Sequence, residues 1–395
     1  MNLKYCNICV SPSTRPGLNL NSDGICTACE TASKKKQIDW VLRRKHLESI
    51  FDRHRRVRDY DYDCIVPVSG GKDSIYQVHM VKNVFNMNPL CITWRTLART
   101  QRGEENLTAL KKIGVDHIDF SPNPDGINKI TVKAFEDYGD SSLIDHLAIY
   151  NVIPNFALRF NLPLVIWGEN PYMEYGGDET NSNLDQQSSK FVREHHIFKG
   201  KEAVNWISDY IARREINSYI PPDDTALEKI GYEPIYLGFY IPWDAKKNKE
   251  IAIKYGFKPR ENGPIMGLYD YADLDCMNIV IHHYFKWLKF GFNRITDNAS
   301  NEIRKGRLNR TEAIDLIRDL DGCKPPVEYI SAFCRQIDIT EEHFWTIAEK
   351  FRNLEIWKKN EDGDWYIKDW VAGDLIPDRF PHTQLSEIEK THLII

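Results

Sequence analysis

The stretch Ser69-Gly70-Gly71-Lys72-Asp73-Ser74 limits the possible folds of this chain more than any other. It directly follows the apolar run Cys64–Val68. The apolar residues after it are spaced by three or four positions: Ile75, Val78, Val81 and Phe85. An apolar run, a glycine turn and helical periodicity predict a buried strand, a tight loop and a helix. The free backbone N–H groups at the start of such a helix form a binding site for an anion such as phosphate.

The side chains of this loop suit the phosphates of a nucleotide. Its two glycines allow close backbone approach, its two serines bring hydroxyl donors, Lys72 adds positive charge and Asp73 can hold Mg²⁺. The spacing differs from that of the G-x-x-x-x-G-K-[ST] phosphate loop. The residues SGGKDS instead resemble the signature of PP-loop ATP pyrophosphatases, which cleave ATP between the α and β phosphates. The alternative is an ordinary serine–glycine turn.

Further short apolar runs alternate with helical segments along residues 60–240. They are Leu90–Trp94, Val115–Phe120, Leu164–Trp167 and Ile235–Phe239. This alternation predicts an α/β fold whose mainly parallel sheet is covered by helices on both faces. Ligands of such sheets bind at the carboxyl ends of the strands, so the residues that follow each strand are candidate site residues.

Two strand ends carry such candidates. Trp94 ends the second strand, where PP-loop enzymes commonly contact adenine, and the alternative is a core tryptophan. Gly168, Glu169 and Asn170 follow the fourth strand. We assign Gly168 to the nucleotide and Asn170 to the substrate. Glu169 can coordinate Mg²⁺ or orient an amine, or it can merely cap the next segment.

Four cysteines near the N-terminus have the spacing C-x₂-C-x₁₆-C-x₂-C: Cys6, Cys9, Cys26 and Cys29. Two such knuckles match the four thiolates of a tetrahedral zinc site. We therefore predict a structural zinc ribbon over residues 1–32, whose folding energy comes from the metal. A redox dithiol pair or an iron–sulfur cluster is the alternative.

Residues 33–59 are predicted to form a basic helix that links the ribbon to the core domain. Its positive charges either contact a phosphate backbone or form a solvated face balanced by neighbouring acids, and the absence of interleaved aromatic residues favours the second interpretation. The formal net charge of −5 gives no general attraction to nucleic acid. No apolar run suggests membrane insertion. The N-terminus lacks a signal-peptide pattern, so we expect a cytoplasmic protein with reduced cysteines.

Residues 241–395 predict a mainly helical C-terminal region that contacts the substrate or a partner. Three arginines, Arg294, Arg304 and Arg307, suggest a fork that grips a carboxylate or a diphosphate. A solvated helix with paired charges is the alternative. Asp297 is predicted to cap this helix.

The order of these features is more specific than any one of them. The cysteine ribbon with Pro12–Gly17, SGGKDS and the segment from Arg294 to Arg307 together resemble the N-acetyl sugar amidotransferases of bacterial surface-polysaccharide biosynthesis. The resemblance extends over residues 1 to about 320 and is weak over 178–232. It implies a PP-loop core of the HUP-like, adenine nucleotide alpha hydrolase type. It also implies ATP, Mg²⁺ and structural Zn²⁺.

The implied reaction converts the acetamido group of a nucleotide-activated sugar into an acetamidino group through an adenylated imidate, for lipopolysaccharide O-antigen or a related glycan. A separate glutaminase supplies ammonia, and the resemblance allows for an accompanying cyclase-like protein. Lys72, Asp73 and Glu169 take the catalytic roles. The SGGKDS amides hold pyrophosphate, Asp73 holds Mg²⁺, and the three arginines grip the sugar nucleotide.

Two other functions stay open. A PP-loop tRNA-thiolation enzyme can also carry a zinc ribbon, but it needs a catalytic cysteine or an iron–sulfur triad. The cysteines outside the ribbon and the first strand are isolated: Cys91, Cys276, Cys323 and Cys334. A scaffold that binds nucleotide and recruits the glutaminase without catalysis is the third possibility.

Overall fold

The computed structural model describes residues 3–56, 61–176, 185–186 and 200–373. Within these ranges a five-stranded parallel sheet has the strand order β3-β2-β1-β4-β5, and two short strands pair in antiparallel fashion. Strands β1 to β7 are Cys64–Pro67, Pro89–Trp94, Asp116–Phe120, Leu164–Trp167, Glu233–Tyr236, Trp357–Lys359 and Trp365–Ile367.

The α-helices of the described ranges are numbered along the chain. Helices α1 to α8 are Thr27–Lys34, Trp40–His54, Lys72–His79, Gln101–Leu107, Ala109–Ile113, Pro124–Tyr138, Leu143–Phe160 and Pro171–Tyr175. Helices α9 to α16 are Asp224–Lys229, Leu237–Tyr240, Ala245–Lys254, Asn278–Phe290, Arg294–Arg304, Arg310–Leu320, Val327–Gln336 and Glu341–Lys350. A π-helical turn, Met80–Val84, extends α3.

The sheet confirms the predicted parallel α/β architecture, and the assignment to the PP-loop fold stays a prediction. Four of the five predicted strands match closely. The fifth is predicted over Ile235–Phe239, but β5 covers Glu233–Tyr236 and residues 237–240 form a helical turn. The register explains this difference: β5 pairs with β4 as far as Trp167↔Tyr236. Since β4 ends there, the following residues have no strand to pair with.

The strand order creates a crevice between β1 and β4. From β1 the chain adds β2 and β3 on one side of β1, and it then returns to place β4 and β5 on the other side. The two neighbours run parallel, with Ile65 opposite Val165. The loops that follow β1 and β4 therefore begin side by side and then run apart, which leaves a crevice between them. This is the position at which parallel sheets bind ligands.

Helix α3 packs on this sheet through its predicted apolar face. Ile75, Val78 and Val81 are fully buried there. The same hydrophobic cluster continues through α11 as far as Leu274. The packed unit around the sheet thus extends beyond residue 240, the predicted end of the core domain.

The remaining C-terminal helices form a second hydrophobic cluster. The strands β6 and β7 close it, with Trp357 and Trp370 at 5.4 Å and 5.6 Å from the ring of Trp287. The tryptophan-rich end of the described chain is therefore packed against this cluster. No helix in the described ranges combines the length and apolarity needed to cross a membrane.

The basic helix, α2, is attached to the core by its arginines. Arg43 donates to the carbonyl of Phe239 at 2.7 Å, and Arg53 pairs with Glu233 at 2.9 Å. Some of the positive charges of this helix therefore bind groups of the chain itself. The stretch 178–232, where the family resemblance is weak, lies partly outside the described residues, and its described part contains α9 and three 3₁₀ turns.

Candidate functional site

The glycine loop has the geometry that its sequence predicts. Gly70 has φ of +80°, and a Cβ atom there would lie 2.9 Å from the backbone nitrogen of Leu107. The loop serines brace it, since Ser74 donates its hydroxyl to the Gly71 carbonyl at 2.9 Å. Gly71 is the N-cap of α3 and provides no side-chain cap. The first N–H groups of α3 are thus left for a ligand.

A cavity of about 150 Å³ lies against this loop. Three separate parts of the chain form its walls: the loop itself, helix α4 and the C-terminal region. The described residues that line it are Ser69, Gly70, Gly71, Lys72, Asp73, Ser74, Gly103, Asn106, Tyr271, Ala272, Asp273, Leu274, Asp275 and Arg294. All six residues of SGGKDS therefore line one cavity, and Arg294 is brought to it from a distant segment.

Lys72 and Asp73 form an oriented pair in the cavity wall. The Lys72 Nζ atom lies 2.6 Å from Asp73 Oδ2, and Asn248 donates to Asp73 Oδ1 at 2.8 Å. The ammonium group of Lys72 also lies 5.2 Å from the centre of the Tyr271 ring. The Asp73 carboxylate is held from both sides beside the free N–H groups. Oxygen donors in this position fit Mg²⁺.

Glu169 lies within electrostatic range of this pair. Burial, together with the negative charges of Asp73 and Glu174, raises the pKa of Glu169 to about 7, against the opposing charges of Lys72 and Arg294. The β1–β4 crevice thus brings together two carboxylates that are almost a hundred residues apart in sequence. Such a pair favours a bound cation, which removes the repulsion.

The raised pKa of Glu169 predicts a pH-dependent effect of Glu169→Gln. The folded chain keeps the proton up to about pH 7, whereas the unfolded chain loses it near 4.5. The contribution of protonated Glu169 to the free energy of unfolding is therefore fully present below pH 4.5 and is lost as the pH rises through 7. Because Gln resembles the protonated form, the variant should match wild type at pH 4.5. At pH 8 it should be more stable by about 1–3 kcal/mol.

Denaturant unfolding of both chains without added metal, from pH 4.5 to 8, measures this effect. Glu261→Gln is the matched control, because Glu261 carries a largely exposed side chain. An advantage of Glu169→Gln that stays constant with pH would contradict the raised pKa.

Arg294 enters the cavity wall with its charge already oriented. Its Nε and Nη2 atoms donate to the two carboxylate oxygens of Asp273 at 3.0 Å and 3.4 Å. His283 Nε2 lies 3.4 Å from the same carboxylate. Burial opposes ionisation of Asp273, but Arg294 and His283 hold the pKa of its carboxyl well below the usual range. Arg294 is therefore a fixed cation that faces the glycine loop.

The structure does not join the three predicted arginines into one fork. Arg304 lies near Cys9, with 3.8 Å between its Nη1 atom and the sulfur. Arg307 pairs with Glu302 and Asp244, each at 2.7 Å. Neither residue is among the described residues that line the cavity. Of the three, the geometry supports only Arg294 as a group that faces a ligand in this cavity.

The structure places the two other nucleotide-site candidates at strand ends, Trp94 and Gly168, as follows. Trp94 is a core residue: it is 5 % exposed, donates to Asp145 Oδ1 at 3.0 Å and packs on Tyr219. It is not in the cavity wall. Gly168 lies against α3, where a Cβ atom would be 3.0 Å from Gln77 Oε1.

Two predicted polar residues have structural roles. Asn170 is buried and caps α8, with its side chain accepting from the N–H groups of Tyr172 and Met173. Asp297 is not the N-cap of α13, because Asn293 takes that position. Asp297 is instead buried inside the helix, where it pairs with Arg15 and Lys286.

The four N-terminal cysteines converge on one point. Their sulfur atoms all lie within 4.8 Å of one another, and all four residues are buried. The Cys6–Cys29 and Cys9–Cys26 sulfur distances are 3.9 Å and 3.7 Å. Tetrahedral zinc with bonds of about 2.3 Å requires sulfur separations of about 3.8 Å. The cluster thus fits the predicted metal, and its four ligands leave no position for catalysis.

The C-terminal wall of the cavity was not predicted from the sequence. Tyr271, Asp273 and Asp275 line it, and helix α4 adds Gly103 and Asn106. Burial, with the nearby Asp273, raises the pKa of Asp275. The alternation of acidic and aromatic residues over 269–275 is the signal that could have identified this wall, although the prolines and glycines just before it indicate only a loop.

Two comparisons with known proteins each match part of the chain. Residues 266–371 match the family described as "LPS biosynthesis protein WbpG-like, C-terminal domain". This match confirms the predicted relationship to surface-polysaccharide biosynthesis proteins. An uncharacterized protein of Methanocaldococcus jannaschii, MJ1599, is 34% identical over 88 residues, which are 22% of this chain and 31% of that protein. The chain thus aligns with less than a third of that relative. Tyr271, Asp273, Asp275 and Arg294 all fall in the family match.

Proposed function

We propose that this chain, whose C-terminal region matches an LPS biosynthesis family, is an ATP-dependent amidotransferase of the PP-loop type. It converts an acetamido group of a nucleotide-activated sugar into an acetamidino group. The observation that carries the proposal is that SGGKDS and Arg294 line the same cavity, whose charged residues Asp73, Lys72 and Arg294 interact electrostatically with the Glu169 carboxylate. Activation of an amide by ATP requires hydrogen-bond donors to the phosphates, a carboxylate that binds the metal and a cation in a fixed position.

The chemistry begins with a poor electrophile. The amide nitrogen donates into the carbonyl, and hydroxide is a poor leaving group. The amide oxygen therefore attacks the ATP α-phosphorus, and pyrophosphate leaves. Ammonia adds to the carbon of the resulting imidate, a proton is lost, and the carbon–oxygen bond breaks to release AMP. The products are the amidine, AMP and pyrophosphate.

The charged residues of the cavity wall, together with Glu169, have roles in this scheme. The N–H groups at the start of α3 and Lys72 bind the pyrophosphate as its charge develops. Asp73 and Glu169 hold Mg²⁺, which neutralises phosphate charge when it is bound. Arg294, oriented by Asp273, faces the anionic part of the substrate. Asp275 presents a further carboxylate to the same space.

Ammonia comes from a separate glutaminase in this proposal. A glutaminase of the thiol type needs a reactive, accessible cysteine. All nine cysteines of the chain are described and buried, and four of them form the ribbon cluster. The glutaminase, and any cyclase-like companion, are partners to be sought by copurification.

The test is release of pyrophosphate and AMP from Mg-ATP with ammonium chloride, in the presence of either UDP-N-acetyl sugars or unmodified tRNA. We expect AMP that depends on the sugar, and a sugar product whose mass falls by the difference between oxygen and NH. AMP that depends on tRNA and a sulfur donor would replace the proposal with tRNA thiolation. Absence of pyrophosphate release with every sugar tested would favour the nucleotide-binding scaffold.

A further inference from the structure

The segment from Glu169 to Gly176 links the cavity to the cysteine ribbon. It leaves β4 at the crevice and contains α8, a helix of only 5 residues. A helix this short is not stable by itself, so its surroundings determine its position. The beginning of the segment is fixed where the Gly238 N–H donates to the Gly168 carbonyl at 2.9 Å. The remaining supports come largely from the ribbon.

The end of the segment touches the backbone of the second cysteine knuckle. Gly176 has φ of +78°, and a Cβ atom there would lie 2.7 Å from the backbone nitrogen of Ala28. Ala28 stands between Cys26 and Cys29, both ligands of the predicted zinc. The two backbones therefore meet without room for a methyl group, and the knuckle fixes where the segment ends.

An ion pair holds the middle of the segment to Lys35, just beyond the ribbon. Lys35 follows α1 directly, and its Nζ atom lies 2.5 Å from Glu174 Oε1. The Glu174 side chain is only 8% exposed. A carboxylate this deeply buried needs a compensating charge, and Lys35 provides it.

Arg304 connects the segment to the cluster itself. Its Nη1 atom lies 3.8 Å from Cys9 Sγ, and its Nη2 atom donates to the Glu174 carbonyl at 3.2 Å. A zinc ion with four thiolates carries excess negative charge, which attracts a guanidinium group. One side chain thus joins a metal ligand to the backbone of α8.

The last contacts lead to the carboxylate in the crevice. Tyr175 donates its hydroxyl to Glu169 Oε2 at 3.5 Å. The guanidinium of Arg15, which belongs to the ribbon, lies 5.8 Å from the centre of the Tyr175 ring. The ribbon itself therefore contacts the Glu169–Gly176 segment at Tyr175 and Gly176, and Lys35 and Arg304 hold Glu174 from just outside the ribbon.

We propose that the zinc ribbon positions Glu169 for the reaction, and that Arg304 is the positioning residue that couples the cluster to the Glu169–Gly176 segment. The ribbon is then part of the active site without touching the substrate. The catalytic part of this inference rests on the proposed function. Its structural part, that Arg304 and Lys35 order this segment beside the ribbon, does not.

The test compares wild type with Arg304→Gln in the full-length, zinc-loaded chain. Because the four cysteines are intact, zinc content measured by mass spectrometry should stay at one per chain. Hydrogen exchange of the amides in 171–176 should become about tenfold faster or more, while exchange in β1 stays unchanged. Sugar-dependent AMP formation should lose about tenfold or more in kcat, with KM for Mg-ATP within about twofold. Arg318→Gln, on α14, is the matched control.

A second pair of variants keeps the test decisive if Arg304→Gln loses zinc. Lys35→Met removes the ion pair to Glu174 without changing a cysteine or Arg304, and Lys36→Met changes its exposed neighbour. Only the first should accelerate exchange in 171–176. Unchanged exchange in both Arg304→Gln and Lys35→Met would overturn the inference. If wild type forms no AMP, the proposed function fails, but the exchange comparison still decides the structural part.

Discussion

The variant Asp73→Asn is expected to lose pyrophosphate release by about 10³-fold or more while the chain stays folded. Asp73 lies in the cavity wall between Lys72 and Asn248, and its negative charge is what holds a metal beside the phosphates. Asn has nearly the same shape but no charge. The metal and the reacting phosphate should thus lose their alignment, whereas the packing of α3 should not change.

The measurement is single-turnover pyrophosphate release at saturating Mg-ATP, together with thermal unfolding of each variant. Asp270→Asn is the matched control, because Asp270 lies in the adjoining loop, pairs with Lys249 and is not among the described lining residues. It should retain wild-type activity within about twofold, as expected for an exposed pair. Full activity of Asp73→Asn would remove Asp73 from the metal site.

The variant Cys26→Ser should lose zinc and unfold the ribbon. Zinc-finger peptides gain about 10–16 kcal/mol of apparent binding free energy from structural zinc, and this ribbon has little other core. Its hydrophobic cluster contains the four cysteines, with Leu18 and Ala28 as the further buried residues. Without one thiolate, most of this energy is lost and residues 3–34 should become sensitive to protease.

Zinc stoichiometry and limited proteolysis measure this outcome. Cys334→Ala is the matched control, because Cys334 is a buried cysteine that is not one of the four clustered cysteines. It should keep one zinc per chain and an intact ribbon, despite a modest loss of stability from the small cavity it leaves. Retention of stoichiometric zinc by Cys26→Ser would contradict the four-cysteine site. A bound iron–sulfur chromophore in wild type would identify a different metal.

The predictions for Asp73→Asn and Cys26→Ser concern two parts of the same chain, the cavity and the cysteine ribbon. The cavity is formed by the glycine loop, α4 and the C-terminal region, and the ribbon packs against the segment that carries Glu169, whose charge interacts with Asp73 in the cavity wall. Loss of zinc should therefore lower sugar-dependent AMP formation more than it lowers nucleotide binding. In this arrangement the family-matched C-terminal region contributes directly to the proposed ATP site.

The amino-acid sequence by itself determined the local parts of this protein. A strand, a glycine turn and a helix were predictable at 64–85 because each depends on neighbours only a few residues apart. The same holds for the cysteine knuckles, for the helix start at Asn309 and for the parallel sheet, whose buried strands appear as short apolar runs. In these segments the chemistry of each residue type and its spacing leave few alternatives.

Only the tertiary structure decided which distant groups meet. Arg294 and Arg304 occupy the two ends of α13, about 15 Å apart along its axis, so one faces the cavity and the other the cysteine cluster. Asp273 and Asp275 reach the glycine loop because the helical region packs back onto the sheet. Trp94 turns into the core although it ends a strand. The direction in which each side chain points and the packing of distant segments set these positions. Neither can be read from the spacing of neighbouring residues.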